Sequence, residues 1–206
     1  MQDESRRTHW DNAYRSKGEA GVSWFEGTPA VSLDLIRGHA AFASSSLIDI
    51  GGGASRLVDA LLDAGMKAIT VLDLSPAALD AAKARLGARA GDVHWVAADV
   101  TAWKPDRSYD IWHDRAAFHF LTDPDDRAAY IERLTAAVVP GGHAIIATFA
   151  PDGPERCSGL PVVRYDPAAL ADVIGPCFRL VEHMEHQHRT PWNLIQAFQF
   201  SVLQRV

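Results

Sequence analysis

Cysteine is nearly missing from this chain: Cys157 and Cys177 are the only two in 206 residues, too few for the disulfide framework of a small secreted domain. A basic surplus is missing as well. Twenty lysines and arginines stand against 26 acids, a formal charge of −6, which favours solubility and gives no broad attraction to phosphate backbones or anionic lipid. Nucleic acid and membrane surfaces are thereby set aside as partners. No apolar run approaches a membrane span; the longest, such as Ala144–Ala150, reach only about a third of the ~20 residues a bilayer requires. The opening MQDESRRTHW carries charge with no apolar stretch behind it, unlike a secretory signal. No repeat, linker or low-complexity tract breaks the chain. These absences leave the expectation of a soluble, cytoplasmic protein of undetermined oligomeric state. Length and a 48% apolar content suit a single domain over 1–206.

What is present is an alternation. From Leu47, short apolar runs exchange with helical patterns: SLIDI, a helix with Leu57, Val58, Leu61 and Leu62 on one face, AITVL, then another helix. That order predicts an α/β fold with parallel strands and covering helices. Further strands are expected at Val93–Ala97, Tyr109–His113 and His143–Ala150, with a helix carrying Tyr130, Ile131, Leu134 and Val138 before the last. Helix starts are marked by Thr28-Pro29, Ser75-Pro76, Asp123-Pro124 and Asp166-Pro167, each a capping side chain followed by proline at the first helical position. The core so delimited is 46–150. Residues 1–38 form an aromatic and charged arm with a first helix, and 151–206 hold a Pro/Gly-rich loop, a short helix and two strands, Phe178–His186 and Ile195–Leu203, read as an antiparallel pair.

Gly51, Gly52 and Gly53 follow the first strand and open a helix, a place where a ligand can approach the backbone and meet the helix's positive end. A dinucleotide site wants G-x-G-x-x-G, but Arg56 fills the last position, where bulk crowds helix–strand packing. An acid precedes the glycines instead, in the order Asp49-x-Gly51-x-Gly53-x-Ser55. Two more follow at strand ends, Asp73 in TVLDLS and Asp99 in WVAADV, so three acids ring one crevice at the carboxyl edge of the sheet.

This set, with LTAAVVPGGHAIIATF at 134–149, resembles the motifs of class I, Rossmann-like, S-adenosylmethionine-dependent methyltransferases; Ser55 stands where their third glycine falls. The resemblance implies a seven-stranded, mostly parallel sheet with helices on both faces and an antiparallel last strand. It also implies S-adenosyl-L-methionine as cofactor and S-adenosyl-L-homocysteine as product. Asp73 would take both ribose hydroxyls, with Leu74 beside it; Asp99 would take the adenine amino group, with Val100 beside it; Asp49 would face the methionyl end. The arm's Trp10, Tyr14, Trp24, Phe25 and Glu26 look like segments that fold over the cofactor in some small-molecule and protein-lysine methyltransferases. Trp24 is placed against the sulfonium.

Chemistry should follow the fourth strand, where YDIWHDRAAFHFL is unusually polar. His113, Asp114 and His119 are the candidates for alignment and proton removal, and Arg115 for clamping an anionic acceptor. A plainer reading stays open: Asp114 and Arg115 as a structural ion pair, and the histidines as core residues. Cys157, in the loop PDGPERCSGLP, is a further candidate for the acceptor wall. His183, His186 and His188 lack an accompanying acid or cysteine pattern, so no metal site is expected. The first functional expectation is methyl transfer to a nitrogen, oxygen or sulfur of a small soluble acceptor. A protein lysine is the second, and a non-catalytic S-adenosylmethionine-binding regulator the third.

Overall fold

A computed structural model of the chain describes residues 2–206. The chain opens with α1 (Gln2–Lys17) and α2 (Ala30–His39), then alternates β1 (Ser46–Ile50), α3 (Leu57–Asp63), β2 (Ala68–Asp73), α4 (Pro76–Leu86) and β3 (Val93–Ala97). β4 (Tyr109–Arg115), α5 (Pro124–Ala137) and β5 (Val138–Phe149) complete the alternating part. A two-residue hairpin, β6 (Arg156–Cys157) and β7 (Leu160–Pro161), precedes α6 (Pro167–Ile174) and the long strands β8 (Phe178–Arg189) and β9 (Ile195–Arg205).

The seven long strands form one sheet in the order β3-β2-β1-β4-β5-β9-β8. Pairing is parallel from β3 through β5, and β9 runs antiparallel to both β5 and β8. Strand alternation divides the core in two. Leu47, Val71, Ile111 and Ile145 pack with Ile36 of α2, Leu57 and Leu61 of α3 and Leu79 of α4 on one face. Ile48, Leu72, Trp112 and Ile146 pack with Tyr130 and Leu134 of α5 and Leu170 of α6 on the other. The order reverses at β1, whose neighbours are β2 and β4, so the carboxyl ends of these strands flank an open crevice.

Three of the four expected helix starts carry their caps. Ser75, Asp123 and Asp166 accept from the backbone N–H of Ala78, Asp125 and Ala169, each with proline next. Thr28-Pro29 is corrected: Pro29 itself stands at the cap, with no side-chain bond, and α2 starts at Ala30. A second difference lies in β5, expected from His143, which begins at Val138 because Val138 pairs with Tyr109 before the register shifts. The Pro-Gly-Gly turn is thus absorbed into an irregular strand.

Candidate active site

The glycine turn leaves β1 with Gly51 at φ +64° and Gly53 at φ +43°, a backbone region that side chains strain to adopt. Space is scarce too: a Cβ on Gly52 would stand 2.5 Å from Asp49 Oδ2, and one on Gly53 2.8 Å from Asp73 Oδ2. Bare backbone therefore faces the crevice between the two carboxylates. The crevice encloses about 850 Å³ including its open mouth, and Gly51, Asp73, Leu74, Asp99 and Val100 line its inner part. Asp49, Gly51 and Gly52 line an adjoining cavity toward α2. Trp24, Tyr14 and Arg115 border both.

Each carboxylate is braced. Asp73 Oδ1 accepts from the Ser75 N–H at 2.7 Å; burial, reinforced by the nearby Asp49 and Asp11, pushes its pKa up to about 7. Asp99 Oδ1 accepts from the Thr101 N–H and hydroxyl at 2.8 and 2.7 Å, and its Oδ2 lies 3.7 Å from Arg6 Nη1. Asp49 Oδ1 meets His113 Nδ1 at 2.7 Å, while His113 Nε2 is 2.9 Å from Ser32 Oγ. Asp49 and His113 are register partners on adjacent strands, so their side chains share a face. With both ring nitrogens engaged, His113 orients Asp49. Ser32 had no signal in the sequence, because it reaches the site from α2, 81 residues away.

The arm forms the roof. Trp10 packs edge-on against Trp24 and Phe120, and the Trp24 indole N–H donates to the Tyr14 hydroxyl at 3.3 Å. Asp11 bonds the Ser75 hydroxyl and the Ala77 N–H. Although burial acts against its charge, the Ser75 bond and neighbouring arginines hold its carboxyl below the usual range. Glu19 pairs with both Arg56 and Arg85. Arg56, the residue that broke the dinucleotide pattern, thus anchors the arm.

The fourth-strand candidates separate. Adjacent strand residues point to opposite faces, so Asp114 and Arg115 do not pair. Asp114 is fully buried, accepting from the Ala117 and Phe118 N–H groups and from the Tyr130 hydroxyl at 2.7 Å; burial pushes its pKa up to about 6. It borders neither cavity and holds the turn after β4. Arg115 donates to the Trp24 carbonyl and to Glu26 Oε1, both at 2.9 Å. Its charge is balanced by Glu26, which makes it a tie between β4 and the arm rather than a free anion clamp. His119 is buried beside Phe120 and Phe149 with neither ring nitrogen bonded, and burial followed by Arg115 pulls its pKa down to about 3. Cys157 lines the crevice, and burial raises its thiol to about 11.

The cradle suits S-adenosylmethionine. Bare glycine backbone, an acceptor at each of three strand ends and aromatic rings overhead match its ribose, amine and sulfonium groups. The strand order and this acid-tipped crevice define the class I, Rossmann-like methyltransferase fold. Residues 47–142 match the family model described as methyltransferase domain, and the fold is that of the class I S-adenosylmethionine-dependent methyltransferases. A curated relative, malonyl-[acyl-carrier protein] O-methyltransferase 1 of Ilyobacter polytropus, is 25% identical over 112 residues, 54% of this chain and 40% of that protein. The match thus spans less than half the relative's length. Among solved structures, one from work on the conversion of a disulfide bond into a thioacetal group during echinomycin biosynthesis has a TM-score of 0.78 at 22% identity, covering 97% of this chain and 92% of that one. The N-methyltransferase NodS of Bradyrhizobium japonicum with S-adenosyl-L-homocysteine gives 0.71 at 19% identity, covering 95% and 99%. At these identities the likeness is one of fold. No described helix is long and apolar enough to cross a membrane.

Proposed function

We propose that this chain transfers the methyl group of S-adenosylmethionine to a nitrogen, oxygen or sulfur nucleophile of a small soluble acceptor. The observation that carries the reading is the crevice with its adjoining cavity, with Asp73, Asp99 and Asp49 along their floor and Trp10, Tyr14 and Trp24 on the roof. The names of the matched proteins, an O-methyltransferase and an N-methyltransferase, agree with transfer to varied nucleophiles.

The cofactor, when bound, supplies an activated methyl group, so the protein's task is alignment and water exclusion. Asp73 and Asp99 would fix the nucleoside, and Asp49, held by His113, which Ser32 braces in turn, would fix the amino-acid end. The acceptor's side is bordered by Trp10, Phe120, Arg115 and Cys157. No strong base stands among them: the Cys157 thiol stays protonated at neutral pH, and His119, fully buried, borders neither cavity. This favours a nucleophile that reaches the site already deprotonated or loses its proton to water.

The test combines calorimetry with S-adenosyl-L-homocysteine and methyl-labelled cofactor in fractionated cell extract. Binding, with label entering the small-molecule fraction, supports the proposal. Label in protein lysines would move the acceptor to the second expectation. Binding without transfer to any fraction would leave a regulatory protein, and absence of binding would sink all three.

A further inference from the structure

The acid that the carboxy-terminal histidines lack in sequence is supplied by the arm. Glu26 reaches across to β8, the outermost strand, where His186 and His188 project from one face toward Phe200 and Phe198 of β9. His188 Nδ1 lies 3.3 Å and His186 Nε2 3.9 Å from the same Glu26 Oε1, and all three ligand atoms fall within 4.8 Å of one another. Tetrahedral ligands about 2.0–2.1 Å from a zinc ion stand about 3.3 Å apart. The three atoms therefore need only small adjustments to converge on one ion.

The surroundings are those of ligands. His188 is buried, and its Nε2–H donates to the Ser23 carbonyl at 2.7 Å. A carbonyl can only accept, so the bond fixes the proton on Nε2 and turns the other ring nitrogen toward Glu26. This is the outer-shell bond that orients metal-binding histidines. Nδ1 then faces the Glu26 carboxylate across 3.3 Å, a gap that a shared proton or a metal ion can bridge. Arg115 Nη2 donates to Glu26 Oε1, as hydrogen-bonded ligand carboxylates commonly show, although its charge will weaken the site. His186 is half-buried at the open side, which leaves room for a water as fourth ligand.

We propose that Glu26, His186 and His188 form a divalent-metal site of the zinc type, which fastens the arm to the edge strand β8. Two imidazoles and one carboxylate suit zinc or cobalt better than magnesium or calcium. His186 and His188 border neither cavity, and Glu26 alone is shared with the wall near Asp49; the proposal does not rest on the methyltransferase reading. Through Glu26 it would steady Arg115, and through Arg115 the backbone at Trp24.

The test uses the untagged full chain, stripped with a chelator, and zinc(II) by calorimetry and cobalt(II) by visible absorption as probes. One equivalent should bind, with cobalt giving the intense visible bands of four-coordination, and zinc should raise the melting temperature. His186→Ala, a change at a partly exposed position, should weaken binding at least tenfold, while His183→Ala, on the same strand but outside the cluster, should not. Circular dichroism of both variants verifies folding. No one-equivalent binding of either metal, or equal binding by His186→Ala, overturns the proposal and leaves an imidazolium–carboxylate pair in its place.

Discussion

At Asp73, ligand binding and stability pull against each other. Its pKa is raised from 3.8 to about 7 in the folded chain. Between those values the folded state keeps a proton that the unfolded chain has released. Asp73's contribution to stability is therefore full below about pH 4 and lost as pH climbs to about 7. Asp73→Asn should raise the melting temperature of the cofactor-free protein at pH 8 by a few degrees, roughly what 1 kcal/mol produces in a chain of this size. The same change should weaken S-adenosyl-L-homocysteine about tenfold or more, since a carboxylate that can accept from two hydroxyls becomes an amide. Thermal unfolding with and without ligand checks both halves. Affinity in the unmodified chain should likewise fall as pH drops below about 7 and Asp73 takes up its proton. His113→Ala should weaken the ligand several-fold by freeing Asp49, and leave the pH profile of activity unchanged; loss of one limb of that profile would make His113 a base. The three acids were legible because each ends an apolar run. The partners Ser32, Asp11 and Arg6 were not, since they arrive from segments 64 to 93 residues away.

The arm shows what periodicity can and cannot reveal about an element. α1 carries no helical signature in the sequence because it has hardly any apolar stripe; Ala13 is its one buried hydrophobic residue among those described. Its place is set by polar ties, chiefly Asp11 to Ser75 and His9 Nε2 to Ser158 Oγ at 3.3 Å, together with the edge-on packing of Trp10 on Trp24 and Phe120. Glu19 secures the segment beyond it through Arg56 and Arg85. Glu19→Ala should make residues 18–27 cleave faster in limited proteolysis and weaken S-adenosyl-L-homocysteine a few-fold. Far-ultraviolet circular dichroism should stay unchanged, because the sheet does not depend on that contact. The alternating strands and capped helices, by contrast, follow from local rules and were read almost to the residue. Where β5 departed, the cause was non-local, the pairing of Val138 with Tyr109. The same holds for β4: its polar end was visible, but the division of His113 and Arg115 from Asp114 emerges only when the sheet's two faces are assigned.

Across the whole molecule, two hydrophobic layers clamp one sheet, and the cofactor crevice is the gap left where the chain changes direction. A ligand that binds only the folded state should stabilise it by about 2.7 kcal/mol at a hundredfold excess over its dissociation constant. A clear rise in melting temperature with S-adenosyl-L-homocysteine, and none with NADH, is the expected result. Five residues, Tyr14, Trp24, Ile50, Gly51 and Arg115, belong to the walls of both cavities. A donor spanning both cavities across these walls would reach the acceptor's border, Trp10, Phe120 and Cys157, so it would enter first, complete the surface that the acceptor meets, and leave last once spent. Steady-state kinetics should accordingly be ordered, with S-adenosyl-L-homocysteine competing against S-adenosylmethionine but not against the acceptor.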